Sequence, residues 1–311
     1  MTGEVVLVTG GAGFIGSHVV EGLLRLHREA LVVSVDSYFT GRKENHVADP
    51  RVRYIEGETA NLDRVWNEAS LPSPSTVFHL GEYARVERSF QELDRVWHSN
   101  LLGTKSVVDF CLNRRARLVY AGSSTRFAEP PHGEHASPYA WVKAKNAEYI
   151  RNVGNWYGLD YAITYFHNVY GPRQISQGPY ATLIGIFEEQ RRQGSPLTIV
   201  EPGTQTRDFT HVDDIVSGLL ICAERGSGDG YQLGCGVEHR IIDVARMFGG
   251  AMRMIPARRG NRVRGVADHS SARALGWIPR IHLRDYIAGL DTPSSAQKRF
   301  SDVNSVEEEG Q

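Results

Sequence analysis

The chain has 311 residues, 41% hydrophobic and 23% charged, with 35 Lys and Arg against 36 Asp and Glu. That length suits two domains or one large α/β domain with an extension, and the near-zero net charge leaves no electrostatic footprint for nucleic acid or an anionic membrane surface. The three cysteines, Cys111, Cys222 and Cys235, are far apart and form no CxxC, so neither a disulfide framework nor a thiolate zinc site is expected, and a reducing cytoplasm fits.

The N-terminus runs directly into EVVLVTG. No signal peptide is expected, and no apolar run is long enough to span a bilayer. Short apolar runs then alternate with helix-period stretches. Residues 5–10, 31–36, 52–57, 76–80, 117–122 and 161–166 read as buried strands. Between them, helices are expected over about 14–26, 61–69, 98–114 and 138–157. Strand–helix alternation with continuously apolar strands implies a Rossmann-type, doubly wound parallel sheet covered on both faces. That domain is expected over 1–166.

Beyond it the regularity fades. Helices are expected near 180–193 and at about 212–224, the latter within a segment (about 210–225) that returns to the sheet. A glycine-rich loop, GSGDG, follows at 226–230. Residues 167–292 are read as a smaller mixed α/β substrate domain, and 293–311 as a polar tail.

The first strand leads into TGGAGFIGSH, where Gly11, Gly13 and Gly16 satisfy GxGxxG. Such a loop needs positive φ, lets the backbone approach a pyrophosphate, and offers it a helix N-terminus. Asp36 ends the second strand 20 residues after Gly16. A carboxylate there binds ribose hydroxyls and repels a 2′-phosphate, which favours NAD over NADP. A ligand-free glycine turn is the competing explanation.

SPYAWVK places Tyr139 and Lys143 four apart at the start of a helix, on one face. A free tyrosine ionises near pH 10; a neighbouring ammonium favours its phenolate. A surface pair is the alternative. Ser123 lies 16 residues before Tyr139, at the end of a central strand whose C-terminal end opens into the ligand crevice. Turn chemistry is the plain alternative for Ser123, Ser124 and Thr125.

TGGAGFIGSH, Asp36, the SST triplet, YxxxK, NVYGPR (168–173) and QTRDFTHVDDI (205–215) stand in this order. With them the chain resembles an extended short-chain dehydrogenase/reductase of the NAD-dependent sugar epimerase/dehydratase group, over about residues 4–290. The resemblance implies a catalytic trio of Ser123, Tyr139 and Lys143. It implies cofactor contacts from Gly10, Gly13, Phe14, Ile15, Gly16, Asp36, Thr40, Gly41, Leu80, Asn100, Tyr139 and Lys143. Substrate contacts would come from Ser123, Ser124, Asn168, Thr206, Arg207 and Arg259. Asn100 read without the resemblance is a satisfied buried amide, and Arg258, Arg259 and Arg262 form a solvated basic loop.

Within the group, dehydratases carry an Asp-Glu pair directly after the serine. Here those places hold Ser124 and Thr125, which cannot do carboxylate chemistry. The resemblance is therefore greatest to UDP-glucose/UDP-galactose 4-epimerases. UDP-glucuronate and UDP-N-acetylhexosamine 4-epimerases, a dehydratase, a reductase, and a non-catalytic NAD sensor remain as alternatives. A homodimer through helices at about 98–114 and 138–157 is implied by analogy. His132 and His135 lack a third metal ligand, and no metal is expected; His79 and His211 suit structural hydrogen bonds. Several positions depart from the family pattern. They are TRFAE after the serine, Tyr165 for arginine, Glu58 for aspartate, EPG at 201–203, and GEYARVERS at 81–89, which puts Glu82 and Arg85 beside the nicotinamide side of the site.

Overall fold

The six expected strands are short apolar runs, each able to be buried on both faces. The computed structural model describes residues 4–128, 133–257 and 264–290. In it, β1 (Val5–Thr9), β2 (Leu31–Asp36), β3 (Val52–Glu56), β4 (Thr76–His79), β5 (Arg117–Ser123) and β6 (Tyr161–Phe166) join a strand at Gly228–Leu233 in one seven-stranded sheet. Its order is Gly228–Leu233, β6, β5, β4, β1, β2, β3, and every pairing is parallel. The order reverses between β1 and β4. The C-terminal ends of those two strands therefore open a crevice, the usual ligand position in such sheets.

The helices are α1 (Phe14–Leu26), α2 (Leu62–Glu68), α3 (Leu93–Val96), α4 (Gly103–Arg114), α5 (Pro138–Tyr157), α6 (Leu183–Arg192), α7 (Val212–Arg225) and α8 (Ile241–Phe248), followed by Ser270–Ala274 and Leu283–Gly289. Side chains alternate across the sheet. Leu7, Val33 and Leu118 pack with Trp66 of α2, Val107 and Phe110 of α4 and Ile150 of α5. Val6, Val8 and Val119 pack on the other face with Val19 and Leu23 of α1 and Val216 and Leu219 of α7. Each such buried side chain contributes about 1.5–3 kcal/mol. Gly22 lets α7 come close to α1, since a Cβ there would lie 2.8 Å from Val216 Cγ1. A third cluster, with Tyr170, Phe187, Ile199, Phe209, Val244 and Phe248, sits apart from the sheet. Among the described residues no helix is long and apolar enough to cross a membrane.

Two elements differ from expectation. The GSGDG segment is not all loop: the strand Gly228–Leu233 begins inside it. Gly228 and Gly230 take positive φ, and the register shifts between Asp229 and Tyr231. This edge strand lacks the apolar alternation that marks a buried one, which hid it. The helix expected over 98–114 starts earlier, at α3, and passes through a π-helical stretch, Trp97–Leu102, before α4. Such stretches concentrate at functional sites, and this one carries Asn100.

Candidate active site

A cavity of about 1120 Å³ lies along the C-terminal ends of the strands. Its wall includes Gly10 after β1, Asp36 of β2, Leu80 after β4, Ser123 of β5 and Phe166 of β6. This is where the strand order reverses.

At one end the glycine loop forms a cradle. Gly10 has φ +73°, and a Cβ on it would lie 2.9 Å from the Gly81 backbone. A Cβ on Gly16 would fall 2.0 Å from the Gly10 carbonyl oxygen. Gly10, Gly13, Phe14, Ile15 and Gly16 all line the cavity. Gly11 does not; a Cβ there would press on Ser34 Oγ at 2.4 Å, so its smallness serves strand–helix packing. No side chain caps α1, and its first turn holds no acid. Its free N–H groups and partial positive charge therefore suit a pyrophosphate.

Asp36 is buried at the same end, held by backbone donors. Ala12 N donates to Oδ2 (2.9 Å) and Tyr38 N to Oδ1 (2.8 Å). Burial raises its pKa above the ordinary carboxylate value, against the pull of those N–H groups. Thr40 and Gly41 complete the wall; a Cβ on Gly41 would lie 2.7 Å from Asp36 Oδ1. Farther along, Glu58 and His98 line the cavity and meet at 2.8 Å. These groups fit a dinucleotide with free ribose hydroxyls.

At the other end α5 starts where its caps dictate. Ser137 Oγ accepts from Ala140 N (3.1 Å), Pro138 occupies the first turn, and Gly158 ends the helix at φ 72°. Tyr139 and Lys143 thus fall on the first two turns, and both line the cavity with Ser123, Ser124 and Thr125. Ser123 Oγ accepts from Thr125 Oγ1 (3.0 Å). The Lys143 ammonium donates to Ala121 O (2.5 Å) and pairs with the Glu82 carboxylate, an ion pair the sequence reading missed.

Glu82 Oε1 also accepts from Thr104 Oγ1 (2.9 Å), Tyr120 OH (3.1 Å) and Asn146 Nδ2 (2.9 Å). His79 lies 2.8 Å from Thr9 Oγ1 and 3.1 Å from Thr104 Oγ1. Burial pushes its pKa down to about 4, so it is neutral. Its role is structural, as is that of His211, which caps α7 by accepting from Asp213 N (3.2 Å).

Asn100 is fully buried and is not among the residues that line the cavity. Its Oδ1 accepts from Tyr83 N (2.7 Å) and its Nδ2 donates to Tyr83 O (2.9 Å), so the amide is spent on fixing the 81–85 loop. Asn168 and Arg207 line the cavity; Asn168 Nδ2 donates to Asp208 O (2.8 Å). Thr206 does not line it, and its hydroxyl donates to Glu238 (3.0 Å). Arg258, Arg259, Arg262, His132 and the tail from 293 lie outside the described residues. His135 meets Glu134 at 3.3 Å on the surface.

Two of the departures explain each other. Arg126, from TRFAE, turns to the sheet edge and donates to Asp229 Oδ2 (2.9 Å) and to the Tyr165 hydroxyl. Tyr165 OH donates to Asp229 Oδ1 (2.7 Å), and Arg151 adds a bond to Oδ2 (2.7 Å). Neither Arg126 nor Tyr165 lines the cavity. Glu201 is exposed outside it. Arg85 does line it, beside Tyr83 and Tyr180.

The NAD-dependent epimerase/dehydratase family matches residues 6–234. A UDP-glucose 4-epimerase of Mycolicibacterium smegmatis is 31% identical over 303 residues, covering 91% of this chain and 96% of that one. Among solved structures, the UDP-glucose 4-epimerase of Thermotoga maritima with UDP-glucose superposes with a TM-score of 0.83 at 27% identity, covering 91% of this chain and 96% of that one. A dTDP-glucose 4,6-dehydratase of Streptomyces venezuelae with NAD bound gives 0.83 at 26% identity, covering 96% and 99%.

Proposed function

The chain belongs to the NAD-dependent epimerase/dehydratase family, and within it we propose that it is a nucleotide-sugar 4-epimerase acting on UDP-glucose/UDP-galactose. The observation that carries this is the wall beside Ser123. The next two positions, Ser124 and Thr125, are neutral hydroxyls, whereas elimination across C5 and C6 needs a positioned acid and base. Glu82, which also lines the cavity, is tied up in an ion pair rather than standing in their place: its Oε1 accepts from Thr104, Tyr120 and Asn146 and its Oε2 from the Lys143 ammonium.

When bound, NAD would supply the hydride acceptor and donor that oxidation and re-reduction at sugar C4 require. The glycine loop and α1 N-terminus would hold its pyrophosphate and Asp36 its ribose hydroxyls. Ser123 would hold the C4 oxygen by hydrogen bonding, and Tyr139 would take that hydroxyl's proton and later give it back. Lys143 holds a positive charge in the same wall. Asn168 and Arg207 stand ready for the nucleotide phosphates, Arg207 by charge-assisted bonds.

UDP-glucuronate is a second candidate, favoured by Arg85. It lines the cavity, its guanidinium donates to the carbonyls of Ala84 (2.8 Å) and Tyr180, and among the described residues no carboxylate pairs with it. A homodimer is part of the proposal, since Leu93, Trp97, Leu102, Trp156 and Tyr157 stay exposed on the α3–α4 segment and α5.

The test is incubation of the purified protein with UDP-glucose, UDP-N-acetylglucosamine and UDP-glucuronate, without added cofactor, followed by proton NMR. Formation of one 4-epimer is expected and names the sugar. A 4-keto-6-deoxy product would overturn epimerisation, and no change even with added NAD would favour a non-catalytic sensor.

A further inference from the structure

In the sheet β1 lies between β4 and β2 and pairs with both. Two strand spacings, about 9–10 Å, therefore separate β2 from β4. The glycine loop at the end of β1 opens into the cavity between them. Side chains from the two flanks nevertheless meet. Phe39, just past β2, has its ring centroid 3.9 Å from Cζ of Arg95, on α3. Tyr83, just past β4, stacks against the same ring at 6.3 Å between centroids, and Tyr180 meets it in a T-shaped contact at 5.1 Å. All four side chains line the cavity.

Tyr180 precedes α6, so its contact brings a third segment to Phe39. Its hydroxyl donates to Glu92 Oε2 (2.6 Å), and Arg88 holds Glu92 Oε1 (2.8 Å). Phe39 is 38% exposed and Arg95 is exposed, so the contact faces solvent rather than the core. An exposed guanidinium over an aromatic face is attracted by the ring quadrupole more weakly than a desolvated one. Such a contact can close a cleft and still open.

We propose that Phe39 and Arg95, backed by Tyr83 and Tyr180, form a gate across the dinucleotide cleft that holds NAD in place between turnovers. This rests on the placement of NAD in the proposed function and not on the identity of the sugar. The contacts join protein groups to one another, and they are made with no dinucleotide present. They therefore slow entry and exit alike and leave affinity nearly unchanged.

The experiment compares full-length wild type, Phe39→Ala, Arg95→Met and the double variant. A chase of radiolabelled NAD with unlabelled NAD gives the release rate, and equilibrium dialysis gives Kd. Each single variant is expected to release NAD about 3- to 30-fold faster, with Kd moving by less than about threefold. The double variant should be no faster than the quicker single one, because both remove the same contact. Arg95→Met carries the test if Phe39→Ala fails to fold. Unchanged release in the folded variants overturns the gate, as do accelerations that multiply in the double variant. A Kd that weakens as much as release quickens also overturns it, since that marks a direct cofactor contact or a distorted site. A wild type that takes up no label would overturn the NAD placement and the gate together. Failure of the epimerase proposal looks different: no 4-epimer forms, while the release rates still follow the gate.

Discussion

The cavity has a buried carboxylate at each end, and the two are held by different parts of the chain. Asp36 accepts from the backbone N–H groups of Ala12 and Tyr38 and faces the space that would hold a ribose. Glu82 accepts from side chains, Thr104, Tyr120 and Asn146 on Oε1 and, on Oε2, the ammonium of the proposed catalytic trio. A carboxylate held by one backbone N–H on each oxygen keeps acceptor positions for a ligand. One held in an ion pair fixes a cation. The difference is that one end is positioned largely by backbone near the strand ends and the other by side chains that meet only when α4, β5 and α5 pack.

The strongest way to break this comparison is to remove the cation. Lys143→Met should strand a buried carboxylate and cost about 3–5 kcal/mol in urea unfolding. The double variant Glu82→Ala/Lys143→Met should recover a large part of that loss. Costs that simply add would show that the two groups are not coupled. A smaller effect is expected at the other end. Asp36→Ala should weaken NAD binding by roughly ten- to a hundredfold, the worth of charged hydrogen bonds to the ribose, and narrow the gap to NADP. Calorimetric titration with both dinucleotides would measure it; equal loss for both would mean that Asp36 only shapes the loop.

The same contrast explains what could be read from the sequence. Asp36 was legible because its position follows from strand length and its spacing from the glycine loop. All six main strands and the first helices were legible for a similar reason, as local period and caps decide them. The Tyr139–Lys143 pair was legible because the Ser137 cap and Pro138 fix where α5 begins. The ion pair was not, because Glu82 meets Thr104, Tyr120 and Asn146 only after α4, β5 and α5 have packed together. Asn100 gives the same lesson in reverse. A motif position suggested a cofactor contact, but the π-helical stretch turns its amide to the Tyr83 backbone. The strand at Gly228–Leu233 was hidden because edge position and the Asp229 network, rather than apolar alternation, hold it.

The central claim is that Tyr139 is the proton-transfer group of a nucleotide-sugar epimerase. Its most direct test is Tyr139→Phe, assayed for sugar turnover and for NAD content in the same preparation. Turnover should fall by about 10²–10⁴-fold with NAD content unchanged. Turnover that persists in a fully NAD-loaded variant would contradict the claim.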